Sequence, residues 1–356
     1  MPVHTLSATE ALKRLGEFHT VIDARTEDEH ALDHVPGAIN WPTLNNAERI
    51  TIGTMYKQVN AFEAKKRGAA IAARNIAAHI EREVLDKARD WRPLVYCWRG
   101  GNRSGALATI LGAIGFQVTL IEGGYKAWRA ALVDDLDHQA RRLHYQVICG
   151  PTGSGKTRLL QALAAEGAQV LDLEDLAKHR SSVLGHLPGI EQPSQKRFDS
   201  LIWDALRGFD PGRPVFVESE SKKVGNLRVP EALIDAMRAS PCIDLQLADE
   251  ERVELLMEDY AHFVQDQAFF CQRLEALTEL RGKAVVQGWI EQVRDGQIRD
   301  VVLELLTQHY DPTYAASIRK NFARYGEARA CRLGSRRADA MSVAARTLLS
   351  EPALVS

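Results

Sequence analysis

Cysteine is scarce in this chain and poorly spaced for metal or disulfide chemistry. The 356 residues hold five, Cys97, Cys149, Cys242, Cys271 and Cys331, and no two form a CxxC pair. Neither a zinc knuckle nor a redox dithiol is signalled, and no other cluster marks a protein-held metal. An odd, scattered set of thiols argues for a reducing compartment. No stretch approaches the roughly 18–20 apolar residues of a membrane span. The first residues, MPVHTLSATEAL, lack the basic and then apolar run of a secretory signal. These absences predict a cytoplasmic protein with no membrane partner. A strong charge of either sign is missing too, since the formal net charge is −2. Any nucleic-acid contact must therefore come from a local patch. Internal repeats and low-complexity tracts are absent. Hydrophobic residues make up 45% of the chain, enough for each half to bury a core, and the length predicts two or three domains.

Short apolar runs alternate with helical stretches. Residues 19–24, 92–97 and 116–121 read as strands, with a helix from Arg103 to Ile114 and a long Ala-rich helical stretch between Thr51 and Asp90. Further strands are expected at 144–149, 168–173, 214–218 and 243–247, followed by a mostly helical part from Asp249 to about Tyr310. This alternation predicts an α/β protein with parallel sheets, whose ligands bind at strand C-terminal ends. The expected boundaries are an N-terminal domain over 1–130, a linker helix over 131–143, a second α/β domain over 144–325, and a tail over 326–356. The tail is low in aromatics and is expected to be loosely held.

Residues 150–157, Gly-Pro-Thr-Gly-Ser-Gly-Lys-Thr, fit the phosphate-binding pattern GxxxxGK[ST], between a predicted strand and a predicted helix. Gly150, Gly153 and Gly155 let backbone N–H groups around Thr152 and Ser154 converge on an anion, and the helix N-terminus adds partial positive charge. Lys156 reaches terminal phosphates, and the Thr157 hydroxyl can ligate Mg²⁺, the one candidate cofactor. Val215-Phe-Val-Glu218 fits the acidic partner strand of such a loop, with Glu218 as a second acidic site; a solvated strand end fits equally well. The pattern recognises a di- or triphosphate without choosing between ATP and another diphosphate ester.

Cys97 ends an apolar strand and opens the run CWRGGNRS. An unperturbed thiol is only about 3% ionised at pH 7. Backbone N–H groups at a strand-to-helix turn, together with Arg99 and Arg103, favour the thiolate. Gly100 and Gly101 let the loop curl with its amides inward. Such a pocket, completed by Trp98, Asn102 and Ser104, would also hold a persulfide or perselenide anion. Trp98 could stack on a base or line the pocket. The other cysteines lack a basic, Gly-rich surround and read as packing residues.

Three segments resemble the rhodanese signatures: VIDARTEDEHALDHVPGAIN, CWRGGNRS and GFQVTLIEGGYKAW. Together with the following phosphate-binding domain they resemble the family of tRNA 2-selenouridine synthases, also called tRNA 2-selenouridine/geranyl-2-thiouridine synthases. The segments GTMYKQVNAFEAKKRGAAIAARNIAAHI, VLDLEDLAKHRSS, QPSQKRFDSLIWDAL, VFVESESKKVGNLRVP and YDPTY are similar to that family, and the likeness covers about residues 5–325. The chain departs from the family pattern at Asp175 and Ser181, where Gly is usual. The resemblance implies a two-step reaction at the wobble position of tRNA. Geranyl diphosphate alkylates the sulfur of 2-thiouridine, and selenophosphate then displaces the S-geranyl group to leave 2-selenouridine. It further implies Cys97 as the catalytic residue and an enzyme supplying selenophosphate as a partner; His34, within the rhodanese signature, is a packing or loop-bracing group or a general base, and Asp23 braces the active loop or does acid–base work.

For tRNA contact, Arg319, Lys320, Arg324, Arg329, Arg332, Arg336 and Arg337 form a basic run interleaved by Phe322 and Tyr325. Lys65, Lys66, Arg67 and Arg74 offer a second patch. Two other readings stay open on the residues alone. One is an ATP-dependent rhodanese-type sulfurtransferase; the other is a module sensing redox state and nucleotide.

Overall fold

The computed structural model describes residues 3–179, 190–259 and 266–351. They form two compact units, one from the residues up to 138 with 193–204, the other from 139–179 and 190–192 with the described residues from 205 on.

In the first unit a five-stranded parallel sheet runs in the order β1-β5-β4-β2-β3. Its strands are β1 (His4–Leu6), β2 (Thr20–Asp23), β3 (Ala38–Asn40), β4 (Pro93–Tyr96) and β5 (Thr119–Ile121). The helices are α1 (Ala8–Lys13), α2 (Glu27–Leu32), α3 (Asn46–Gln58), α4 (Ala61–Glu83), α5 (Asn102–Ile114) and α6 (Gly124–Arg142). β4 is buried at every residue, as a central parallel strand must be. Its core joins Ile22, Val95, Leu107, Leu111 and Val118 to Ile76 of α4. The expected linker over 131–143 is the C-terminal half of one continuous helix, α6, rather than a separate element.

Residues 193–204 also belong to this first unit, although the sequence places them in the second domain. Side-chain chemistry explains the return. The Ser200 hydroxyl donates to Asp33 Oδ2 (3.1 Å), Arg129 pairs with Asp199, and Trp203 Nε1 donates to Asp135 Oδ2 (2.7 Å). The Trp203 ring meets Trp128 edge-on at 5.7 Å, and both are fully buried.

The second unit has another five-stranded parallel sheet, ordered β12-β11-β6-β8-β7. Its members are β6 (Tyr145–Cys149), β7 (Gln169–Leu171), β8 (Val215–Glu218), β11 (Cys242–Gln246) and β12 (Arg329–Arg332); β9 (Lys223–Val224) and β10 (Leu227–Arg228) pair separately. Around it lie α7 (Lys156–Ala165), α8 (Leu173–Ala177), α10 (Glu231–Ala239) and α11 (Asp249–Asp259), while α9 (Gln195–Arg207) spans both units. A helical part follows: α12 (Gln267–Glu275), α13 (Thr278–Arg281), α14 (Lys283–Arg294), α15 (Ile298–Glu304) and α16 (Asp311–Asn321). The expected α/β class, parallel sheets and helical C-terminal region are all present.

The expectation of a loosely held tail does not survive. Residues 329–332 form the edge strand β12, and α17 (Ala338–Ser350) packs into the core. Met341, Ala344, Ala345 and Leu348 recur at helical spacing and bury against Leu159, Leu160 and Leu163 of α7. A stripe of small and aliphatic residues needs no aromatics to be core. Residues 352–356 lie outside the described residues, as does Ser181.

Leu348→Ala is expected to destabilise the protein by about 2–4 kcal/mol, the cost of emptying a buried leucine site. Urea unfolding followed by tryptophan fluorescence measures it. A midpoint equal to wild type would mean that α17 is not core.

Candidate functional site

In the first unit, Cys97 follows β4 directly and is 3% exposed. The loop after it curls so that Gly101 N–H donates to Sγ at 3.3 Å and the Ser104 hydroxyl donates at 3.1 Å. Burial alone would raise the pKa of this thiol. The hydroxyl and N–H of Ser104, the N–H of Gly101 and the nearby Arg103 outweigh it and hold Cys97 below the ordinary thiol range. The two arginines contribute less than the sequence suggests. Arg103 pairs with Glu29 at 2.6 Å, and Arg99 is exposed. The anion is stabilised mainly by short-range donors, and Ser104 stands out among them.

The loop is held from below by the start of α6. Tyr125 N–H donates to Cys97 O (2.8 Å) and Lys126 N–H to Trp98 O (3.0 Å). That approach requires glycine at 124, where φ is +59° and a Cβ would stand 2.2 Å from Cys97 O. Trp98 stacks on Tyr125 at 5.5 Å and so lines the loop. Gly100 has a left-handed backbone, Gly101 caps α5, and Asn102 opens that helix at an exposed position.

Asp23 is fully buried and binds Arg25 through both carboxylate oxygens, with His30 Nδ1 at 3.0 Å. Burial would raise its pKa, but His30 and Arg25 hold it below the usual carboxylate range. No hydrogen bond runs from Asp23 to residues 97–104 among the described residues. It braces Arg25, whose guanidinium lies 4.0 Å from the Tyr125 ring centre. His34 stacks on His30 at 3.9 Å, with Nδ1 on His30 O at 2.9 Å. Burial lowers its pKa to about 4, so it is neutral near pH 7, as suits a packing group. Sequence reasoning missed Asp33. Its carboxylate is buried, accepts from Tyr125 Oη (2.6 Å) and Ser200 Oγ, and is pushed up in pKa by burial.

In the second unit, the phosphate-binding loop leaves the central strand β6 and enters α7. Gly153 and Gly155 adopt left-handed φ angles of +76° and +88°. Ser154 is buried, and its hydroxyl has no hydrogen-bond partner among the described residues. Lys156 Nζ donates back to Gly150 O (2.9 Å), and Thr152 O is held by two donors of Arg252 at 3.0 and 2.8 Å. Arg252 is itself buried and pairs with Asp249 (2.8 Å) and Asp311 (2.6 Å). Asp311 lies in the YDPTY segment, and Tyr314 of the same segment accepts from Gly150 N–H at 2.6 Å. The sequence offered no reason for that motif; the structure makes it a clamp on the loop.

Glu218 ends β8 beside the loop. It is 4% exposed, so it is not a solvated strand end, and its Oε1 has no hydrogen-bond partner among the described residues. Burial first, and then the charge of Glu174, push its pKa above the carboxylate range against the pull of Lys156 and the Thr157 hydroxyl. Glu174, which the sequence reading missed, and Glu220 place ligand oxygens within 4.8 Å of each other and of Glu218. Asp175 sits next to Glu174 in α8 and pairs with Lys178 at 2.8 Å. The loop, these carboxylates and an apolar wall enclose a cavity of about 560 Å³. Leu255, Leu256, Tyr310, Tyr314, Ile318 and Phe322 form that wall.

The basic run does not form one free patch. Arg324 pairs with Glu327, Arg329 with Glu351, and Arg336 with Glu251 and Glu258. Arg319, Lys320, Arg332 and Arg337 are exposed, with Arg337 3.8 Å from Asp339 and Arg332 on Gln246 Oε1 at 3.2 Å. Phe322 is buried and so is not offered to a base, and Tyr325 is half-buried with its Oη donating to Asp244 (3.0 Å).

A family model described as the tRNA 2-selenouridine synthase AAA domain matches residues 143–281, and one described as a rhodanese-like domain matches 7–131. The tRNA 2-selenouridine synthase of Alcanivorax borkumensis is 31% identical, with 83% of this chain and 88% of that protein covered. That of Sulfurovum sp. is 30% identical over 88% of this chain and 95% of its own. The Nitrosomonas europaea protein of the same name is 35% identical over 67% of this chain, an alignment spanning 63% of the relative's length. A solved N-terminal domain of a putative ATP/GTP binding protein from Clostridium difficile 630 is 33% identical over 36% of this chain and 97% of its own, with a TM-score of 0.32. With a rhodanese-like first domain and a phosphate-loop second domain in this order, the chain belongs to the tRNA 2-selenouridine synthase family.

Proposed function

We propose that this protein is a tRNA-modifying transferase. It converts wobble 2-thiouridine to 2-selenouridine through S-geranyl-2-thiouridine, using geranyl diphosphate and selenophosphate. The observation that carries this reading is the cavity of the second unit, where a phosphate loop faces an apolar wall. A nucleotide needs partners for a base and a ribose; a prenyl diphosphate needs a charged end and a greasy one. The volume falls within the roughly 300–1,000 Å³ of small-molecule sites.

In the first step the loop amides and Lys156 hold the diphosphate. The 2-thio sulfur forms a bond to C1 of the geranyl group, the C1–O bond breaks, and diphosphate leaves with the electron pair. The nucleoside loses its N3 proton. Leu255, Leu256, Ile318 and Phe322 take the prenyl chain and keep water from the allylic carbon. Thr157, Glu218, Glu174 and Glu220 fit a hard divalent cation, since the carboxylates converge and one buried oxygen of Glu218 has no partner among the described residues. Mg²⁺, when bound there, supplies charge neutralisation on the leaving diphosphate.

In the second step the selenium of selenophosphate bonds to C2 and the C2–S bond breaks, so that geranylthiol leaves; water then cleaves the Se–P bond, releasing phosphate and leaving 2-selenouridine. The pocket of Cys97 stabilises a chalcogen anion with the N–H of Gly101 and the hydroxyl of Ser104. All five cysteines are free, as a reducing cytoplasm would keep them. Among the described residues no helix is long and apolar enough to cross a membrane.

Cys97→Ala is expected to retain geranylation and lose selenation, read by mass spectrometry of tRNA nucleosides. Loss of both steps in a folded variant would refute the division of labour. Lys156→Ala should weaken geranyl diphosphate binding roughly 30–150-fold, the worth of a charged hydrogen bond, and block the first step. Normal geranylation by that variant, or ATP turnover by wild type without diphosphate binding, would sink the prenyl-donor reading. The alkylation rate of Cys97 by iodoacetamide should rise with pH through a midpoint below that of a free thiol. Ser104→Ala removes a donor to the anion and should move that midpoint up by about 1–2 pH units. An unmoved midpoint would take Ser104 out of the account.

A further inference from the structure

Residues 49–74 contain six lysines and arginines and a single acidic residue, in a chain whose formal net charge is −2. They make up most of α3 and the N-terminal half of α4, two helices joined through Val59 and Asn60. The base of this hairpin is braced. Glu48 accepts from Asn75 at 2.7 Å and pairs with Arg74 at 3.1 Å. A Cβ at Gly68 would stand 3.3 Å from Ile52 Cγ2, so the helices touch there. Toward the tip, packing stops. α3 has no buried residue, and α4 buries only Ala64 before Ile76.

The tip nevertheless carries large apolar groups. Tyr56, Val59 and Phe62 are 53%, 76% and 67% exposed. Scattered exposed hydrophobes are ordinary; three around the turn that joins the two helices, two of them aromatic, mark a contact surface. The charges there are also uncommitted. Among the described residues Arg49, Lys57, Lys65 and Arg67 make no ion pair, unlike Arg324, Arg329 and Arg336 of the C-terminal run. Ile76 of α4 belongs to the same core cluster as Cys97. Lys65 lies three turns earlier, about 16 Å along the helix at 1.5 Å per residue. The tip therefore projects from a helix whose buried face shares the core cluster of Cys97, in the same unit as the active loop.

We propose that the α3–α4 hairpin is the docking surface for the RNA substrate. Lys57, Lys65 and Arg67 contact phosphates, and Tyr56 and Phe62 stack on unpaired bases. This rests on tRNA being the substrate. A protein partner would have to be acidic and would leave the two rings without bases to stack on.

The test is a salt titration of unmodified tRNA binding to the full-length protein, with geranyl diphosphate affinity and circular dichroism measured in parallel. Lys57→Ala, Lys65→Ala and Arg67→Ala combined should flatten the slope of log affinity against log salt by about two units, at 0.7–0.9 per phosphate. Tyr56→Ala with Phe62→Ala should lower tRNA affinity by about 5- to 150-fold per lost stack while leaving the slope in place. Both variants should keep diphosphate binding and helix content. Unchanged tRNA affinity and slope in both folded variants overturns the proposal and leaves the tip to a protein. Failure of wild type to bind tRNA overturns the substrate reading itself.

Discussion

One buried guanidinium organises the second unit. Arg252 is 3% exposed, and a charge taken that far out of water is costly unless every donor is satisfied. Here the donors go to Thr152 O in the phosphate loop, Asp249 at the start of α11 and Asp311 at the start of α16. Three segments distant in sequence are thereby fixed to one planar group. A lysine could not span the same partners, because its donors radiate from one atom. From Asp311 the same face of α16 continues through Tyr314, which holds Gly150 N–H, to Ile318 in the apolar wall. A single helix thereby touches both the phosphate cradle and the greasy side of the cavity, which Leu255 and Leu256 of α11 and Phe322 complete.

The first unit solves a different problem: keeping an anion next to a buried sulfur. Burial opposes ionisation, so the loop must present donors at contact distance and hold them there. It does so by resting on α6, whose first N–H groups bind the carbonyls of Cys97 and Trp98. Arg25, gripped by Asp23, lies against Tyr125 and so secures the start of that helix. The rhodanese signatures before and after the active loop are thus parts of one support.

The phosphate loop and the cysteine loop were legible in the sequence because each compresses its chemistry into eight residues of fixed spacing. Strands lying within apolar runs, and most helices, were legible from those runs and from periodicity. The strands β1, β3 and β12 were not, since HTL, AIN and RACR contain no apolar run. The role of Arg252, the acceptor Asp33, and the approach of Glu174 to Glu218 and Glu220 depend on partners far away along the chain. Nothing local announces such meetings. In the C-terminal run, counting arginines overstated the free charge, because acids from elsewhere in the chain neutralise Arg329 and Arg336. The helical spacing of Met341, Ala344, Ala345 and Leu348 was readable and would have rescued the tail from being taken as loose.

The return of residues 193–204 to the first unit has a bearing on biosynthesis. The sheet strands of that unit are all made by residue 121, yet Asp33 and Trp128 meet Ser200 and Trp203 only after the intervening strands β6 and β7 have left the ribosome. At about 5–20 residues per second, the 66 residues from 139 to 204 take roughly 3–13 seconds to synthesise. During that interval the buried faces of Trp128 and Asp33 wait without their covering helix. The nascent first unit is an incomplete, sticky intermediate, and slowing translation across 139–204 prolongs its exposure to aggregation and to chaperones.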